Sequence, residues 1–112
     1  MNLKATQEII DGKANLIITV DCGVSNYKET KLAQSNGIDV IITDHHSITQ
    51  KLPPAFAVIN PKQEGDQYPF KDLAGVGVAY KLVCALLSFA VETRLIASLN
   101  EAETYLKWCL DV

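Results

Sequence analysis

The feature that most restricts the fold is a pair of short apolar runs, each closed by an acidic residue. Leu16 to Val20 reads Leu-Ile-Ile-Thr-Val and ends in Asp21-Cys22-Gly23; Ile38 to Thr43 reads Ile-Asp-Val-Ile-Ile-Thr and ends in Asp44-His45-His46. Runs so short and so rich in β-branched side chains suit strands buried on both faces. Between them, Asn26 with Glu29 has the spacing of a capping box and Asn36-Gly37 supplies a stop, so the spacing predicts a helix. Strand, helix and strand in that order form a parallel crossover.

The remaining segments extend this pattern. Residues 2 to 12 read as a short helix with Leu3, Ile9 and Ile10 on a partial apolar face, ending near Gly12. A third apolar run, Ala55 to Ile59, follows Pro53-Pro54 and is closed by Asn60-Pro61, after which Lys62 to Asp72 is polar and turn-rich. From Ala74 the chain is dense in helix formers and apolar nearly all round, as a helix buried against a sheet would be. Val91 to Leu99 and about Asn100 to Leu110 read as two further helices. The predicted fold is α/β, a three-layer arrangement with parallel strands at 16–20, 38–43 and 55–59 flanked by helices.

With 112 residues there is material for one core, as a single domain or part of one. The balance of 48% hydrophobic and 21% charged residues excludes disordered and fibrous classes. A net charge of -3 gives no basic excess for binding a phosphate backbone by charge alone, so any contact with nucleic acid must be local. Cys22, Cys84 and Cys109 form no C-x-x-C pair and no disulfide framework, which suits a reducing cytoplasm. Residues 1–14 carry Glu8 and Asp11, unlike a signal peptide, and the apolar stretches fall short of the ~18 residues of a membrane span.

In open parallel sheets ligands bind beyond the carboxyl ends of the strands, and the residues standing there are Asp21, Asp44, His45, His46 and Asn60. Imidazole and carboxylate together favour Mn, Zn or Fe over an oxygen-only cation such as Ca or Mg. Adjacent strands lie about 4.8 Å apart, so groups at two neighbouring strand ends can reach one centre. The plain structural alternative for Asp21 is an Asx-turn acceptor with Gly23 at positive φ, a role compatible with ligation. Gly75 and Gly77, opening a helical run, suit either a phosphate at the helix N-terminus or close packing of helix on sheet. Lys62, Lys71 and Lys81 offer local positive charge, while Tyr68, Phe70 and Tyr80 read first as packing residues.

Four segments then occur in order: Thr19-Val-Asp-Cys-Gly-Val-Ser25, Asp39-Val-Ile-Ile-Thr-Asp-His-His46, Asn60-Pro-Lys62 and Tyr68-Pro-Phe-Lys-Asp-Leu-Ala-Gly-Val-Gly-Val-Ala-Tyr-Lys-Leu82. Together they resemble the DHH phosphoesterase superfamily, and within it the RecJ-type single-strand-specific 5′ exonucleases. The resemblance runs from Thr19 to about Leu86, the greater part of the chain. It implies a two-metal site for divalent cations, Mn²⁺ foremost with Mg²⁺ as the other choice. Asp21 matches the aspartate that bridges the two cations and His45 a direct metal ligand. His46 matches the histidine nearer the phosphate, and Asp44 the carboxylate behind the pair; these two are the expected catalytic residues. Gly75, Gly77 and Asn60 are expected to contact phosphate or substrate.

The same resemblance implies single-stranded DNA as substrate, a role in repair and recombination, and a single-strand-binding protein or helicase as partner of the parent enzyme. It also implies an Asp-x-Asp motif before residue 20 and a further aspartate ligand after Val112, neither of which the chain contains. The expectation is therefore a partial DHH domain over 1–112, with little nuclease activity by itself. Two other readings stay open on the residues: a DHH phosphoesterase acting on short oligonucleotides or nucleotides, and a non-catalytic binding or scaffold module.

Overall fold

A computed structural model of the chain describes residues 1–92, which divide into two compact units, Met1–Tyr80 and a second beginning at Lys81. The element order is α1 (Leu3–Asp11), β1 (Leu16–Val20), α2 (Tyr27–Ser35), β2 (Asp39–Thr43), β3 (Ala57–Ile59) and α3 (Gly75–Glu92). Asn2 starts α1 from an extended conformation, its side chain accepting the Ala5 N–H at 2.9 Å. The helix stops at Gly12.

The three strands form one parallel sheet in the order β1-β2-β3. Val20 pairs with Thr43 and Thr43 with Ile59, so all three strands end in one row. Two backbone bonds extend that row: the Asp21 N–H donates to Thr43 O at 2.9 Å and the Asp44 N–H to Ile59 O at 3.0 Å. The register thus delivers Asp21, Asp44 and Asn60 to the same end of the sheet.

Ile17, Val40 and Ile42 project from one sheet face into a core shared with Val24, Ala33 and Ile38, against which Ile9, Ile10 and Val58 pack. This face takes α1 and α2, which explains why α1 needs only a narrow apolar stripe.

Several expectations are corrected. β1 is not buried on both faces: Ile17 is buried and Thr19 beside it, but Leu16, Ile18 and Val20 are exposed. It lies at one end of the strand order, and a β-branched run reports strand preference, not what covers each side. The capping box at Asn26 does not form. Asn26 does stand at the N-cap of α2, but with φ -95° and ψ 51° its side chain caps nothing and instead donates to Met1 O at 3.0 Å. β2 and β3 begin at Asp39 and Ala57, because the Ile38 N–H closes α2 on Ala33 O and Ala55 N–H bonds Pro53 O. In α3, Gly75 and Val78 are buried, while Val76, Tyr80, Val83, Leu86 and Phe89 are exposed. Phe70 is exposed as well, against its reading as a packing residue. α3 runs on through Val91 and Glu92; the rest of the Val91 to Leu99 helix and the Asn100 to Leu110 helix lie outside the described residues. No helix among the described residues is long and apolar enough to cross a membrane.

Candidate metal centre

The loop after β1 turns sharply. Asp21 sits at φ +60°, a left-handed conformation that aspartate tolerates better than most residues, and Gly23 follows at φ +128°. A side chain at position 23 would also meet Thr19 Oγ1 at 2.7 Å and Ile42 Cγ2 at 2.8 Å, so only glycine fits there. The Thr19 hydroxyl donates to Cys22 O at 2.7 Å, and the Thr43 hydroxyl to Thr19 O at 2.7 Å. These two threonines, near the ends of their strands, stitch the first loop to the sheet. Sequence reasoning missed them, although a Thr near the end of both apolar runs was the available signal.

Asp44 is the hub of the second loop. Its side chain is 1% exposed, and both oxygens are engaged. Oδ2 accepts the Val24 N–H at 3.0 Å, which ties the loop after β1 to the loop after β2. Oδ1 accepts the N–H groups of His45 at 2.8 Å and His46 at 3.2 Å, and faces His46 Nδ1 at 2.6 Å. Burial pushes the Asp44 carboxyl up most strongly, yet the hydrogen bonds from Val24, His46 and His45 together hold it below its ordinary value. An ionised carboxylate only accepts, so Nδ1 of His46 is the donor in this contact, and Nε2 is left as the ring's other nitrogen.

Asp21 and His45 meet above this hub, with His45 Nε2 3.0 Å from Asp21 Oδ1. The His45 and His46 rings lie with centroids 4.6 Å apart. One donor atom each from Asp21, His45 and His46 falls within 4.8 Å of the others. Two ligands at right angles, each about 2.1 Å from a common ion, are roughly 3 Å apart, so the Asp21–His45 separation suits a shared divalent cation. The carboxylate and two imidazoles fit a transition-metal ion, and the buried Asp44 fits the role of the group that orients a ligand from behind.

Asn60 is buried and braces the third strand end. Its Nδ2 donates to His46 O at 3.0 Å and its Oδ1 accepts the Lys62 N–H at 2.8 Å. Of the two glycines opening α3, Gly75 lies against the Asp21 carboxylate and Gly77 against the Leu73 side chain. The site therefore gathers Asp21, Asp44, His45, His46, Asn60 and Gly75, with Gly77 one step removed. Lys71 is turned away to Asp66, donating to its backbone O at 2.6 Å and to Oδ1 at 3.0 Å. Cys22 is a free thiol, as is Cys84.

The model of the DHH family, N-terminal domain, matches residues 2–107. The chain belongs to the DHH family. Among its DHH relatives, the single-stranded-DNA-specific exonuclease RecJ of Bacillus subtilis (strain 168) is 52% identical over 86 residues, which are 77% of this chain and 11% of that protein. The exonuclease of the same name from Escherichia coli (strain K12) is 50% identical over 76 residues, 68% of this chain and 13% of that protein. The DHH fold is borne out by the crystal structure of exonuclease RecJ bound to manganese, at 33% identity and a TM-score of 0.63 over 85% of this chain and 22% of that one. The chain spans only 11% to 13% of the length of these two curated relatives.

Proposed function

We propose that this chain is the metal-holding part of a divalent-metal-dependent exonuclease that hydrolyses phosphodiester bonds of single-stranded DNA from the 5′ end. The observation that carries this reading is the convergence of Asp21, His45 and His46 within 4.8 Å at the ends of two adjacent parallel strands. RecJ relatives supply the substrate class by analogy, and the manganese-bound RecJ structure makes Mn²⁺ the first choice of ion, with Mg²⁺ the second.

In this reading Asp21 and His45 hold the cation. When bound, a divalent cation lowers the pKa of water and offsets the charge that develops on a phosphodiester. His46 stands beside the substrate phosphate, its ring fixed by Asp44, so its Nε2 faces the reaction with one defined tautomer. Asn60 holds the carbonyl of His46 and with it the whole Asp44-His45-His46 turn. The amino end of α3, starting at Gly75, offers first-turn N–H groups that have no carbonyl within their own helix and suit a phosphate oxygen. Cytoplasmic repair and recombination, with a single-strand-binding protein or a helicase as partner, is the setting in which such an activity belongs.

Calorimetric titration with Mn²⁺ tests the first half of the proposal. Binding should weaken at least tenfold in His45→Ala, and equal affinity in the variant would sink the metal assignment. The second half is tested with a longer protein that contains this segment, on single strands labelled at either end. Early release of the 5′ label in Mn²⁺ supports the reading, and release from the 3′ end first reverses its polarity.

A further inference from the structure

Two of the first three residues of α3 are glycine, the poorest helix former after proline. Neither is there for an unusual backbone angle: the glycines at positive φ are Gly23, Gly37 and Gly65. What α3 uses at these two positions is the missing side chain. At Gly77 a β-carbon would press on Leu73, with Cδ1 at 2.5 Å and Cγ at 2.8 Å, which is apolar packing. At Gly75 it would fall onto Asp21, against Oδ1 and with Cγ at 2.5 Å and Cβ at 2.7 Å.

Asp21 needs such a wall. Its side chain is 59% exposed; its backbone N–H is tied to Thr43 O, while among the described residues the one polar partner of its carboxylate is His45. A half-exposed carboxylate on a left-handed residue otherwise samples several rotamers, and a ligand that must first be ordered binds its cation more weakly. We infer that Gly75 is a positioning residue of the metal centre: its bare α-carbon lets the amino end of α3 close on Asp21 and hold the carboxylate toward His45. The inference rests on the proposed function in taking Asp21 and His45 as cation ligands. A methyl at position 75 drives the carboxylate out of line with His45 or lifts α3 from the loop after β1, and either outcome spoils the pair.

The test compares Gly75→Ala with Gly77→Ala, since both replace a helical glycine by alanine and each adds one methyl, two residues apart and on nearly opposite faces of the helix. Mn²⁺ affinity is measured by calorimetry, urea midpoints follow folding, and the metal-free ¹⁵N shifts of the His45 ring report its contact with Asp21. The expected result is at least a tenfold loss of Mn²⁺ affinity and a moved His45 resonance in Gly75→Ala. Gly77→Ala should stay within twofold of the parent chain with His45 unmoved. Parent-like affinity in Gly75→Ala overturns the inference while leaving the metal reading intact, and so does equal loss in both variants. A parent chain that binds no Mn²⁺ overturns the metal reading itself. If Gly75→Ala lowers the urea midpoint far more than Gly77→Ala, the same change is made in an Asp21→Gly background. There the methyl meets no carboxylate, so no further loss of stability is expected, and an undiminished loss refutes the contact.

Discussion

Asp44 spends its whole carboxylate on three partners, and its protonation is therefore coupled to folding. Its carboxyl is held below the ordinary value of 3.8 in the folded chain, so the ionised form is the one the fold favours. The stability it contributes is fully present above that unfolded-state value and is lost as pH falls through the lower folded value. Metal-free urea unfolding from pH 6 down to about pH 3 should show a falling midpoint in the parent chain and a flatter profile in Asp44→Asn. At neutral pH the same variant should be less stable by about 2–3 kcal/mol, because a charge-assisted set of bonds is replaced by an amide whose NH₂ faces donors. A steep acid slope retained in Asp44→Asn would assign the effect to another carboxylate. The identities of Asp21, Asp44, His45 and His46 were legible in the sequence because strand ends are where such residues gather. What the sequence did not carry was the division of labour: that Asp44 reaches Val24, twenty residues back, depends on register between strands and leaves no local trace.

At the scale of elements, strands and helices followed from short apolar runs and stop signals, whereas caps and covered faces did not. The spacing of Asn26 and Glu29 was that of a capping box, but a side chain goes to whichever acceptor the tertiary fold brings close, and Met1 O won. α2 carries a second mismatch of this kind. Thr30 is fully buried on the face packed toward the core, and its hydroxyl has no hydrogen-bond partner. Replacing that hydroxyl by a methyl removes a desolvation cost without opening a cavity, so Thr30→Val should raise stability by about 1 kcal/mol. Chemical denaturation checks this, and a destabilised variant would mean that the hydroxyl has a partner in solution. The uneven cover of β1 belongs here too: its alternation of buried and exposed residues comes from packing on one face by α1 and α2, which no run of Leu and Ile announces.

For the molecule as a whole, the apolar surface matters more than the net charge of -3. Leu16, Ile18 and Val20 form a row on the outer face of β1, next to that strand's free edge in the described sheet. Exposed apolar rows on edge strands promote association between copies. Sedimentation velocity should therefore show a mass that rises with concentration, and Ile18→Thr should reduce it with little change in the urea midpoint. A monomer at all concentrations would remove this expectation.

The level ending of the three strands also has a meaning in time. The amides of Asp21 and Asp44 are the last rungs of the sheet, bonded to Thr43 O and Ile59 O. Neither loop bearing these aspartates can swing away while its rung is intact. The lifetime of the assembled centre is then set by fraying of the sheet end, and the two amides should exchange with deuterium in step, slowed together by whatever cation the centre takes.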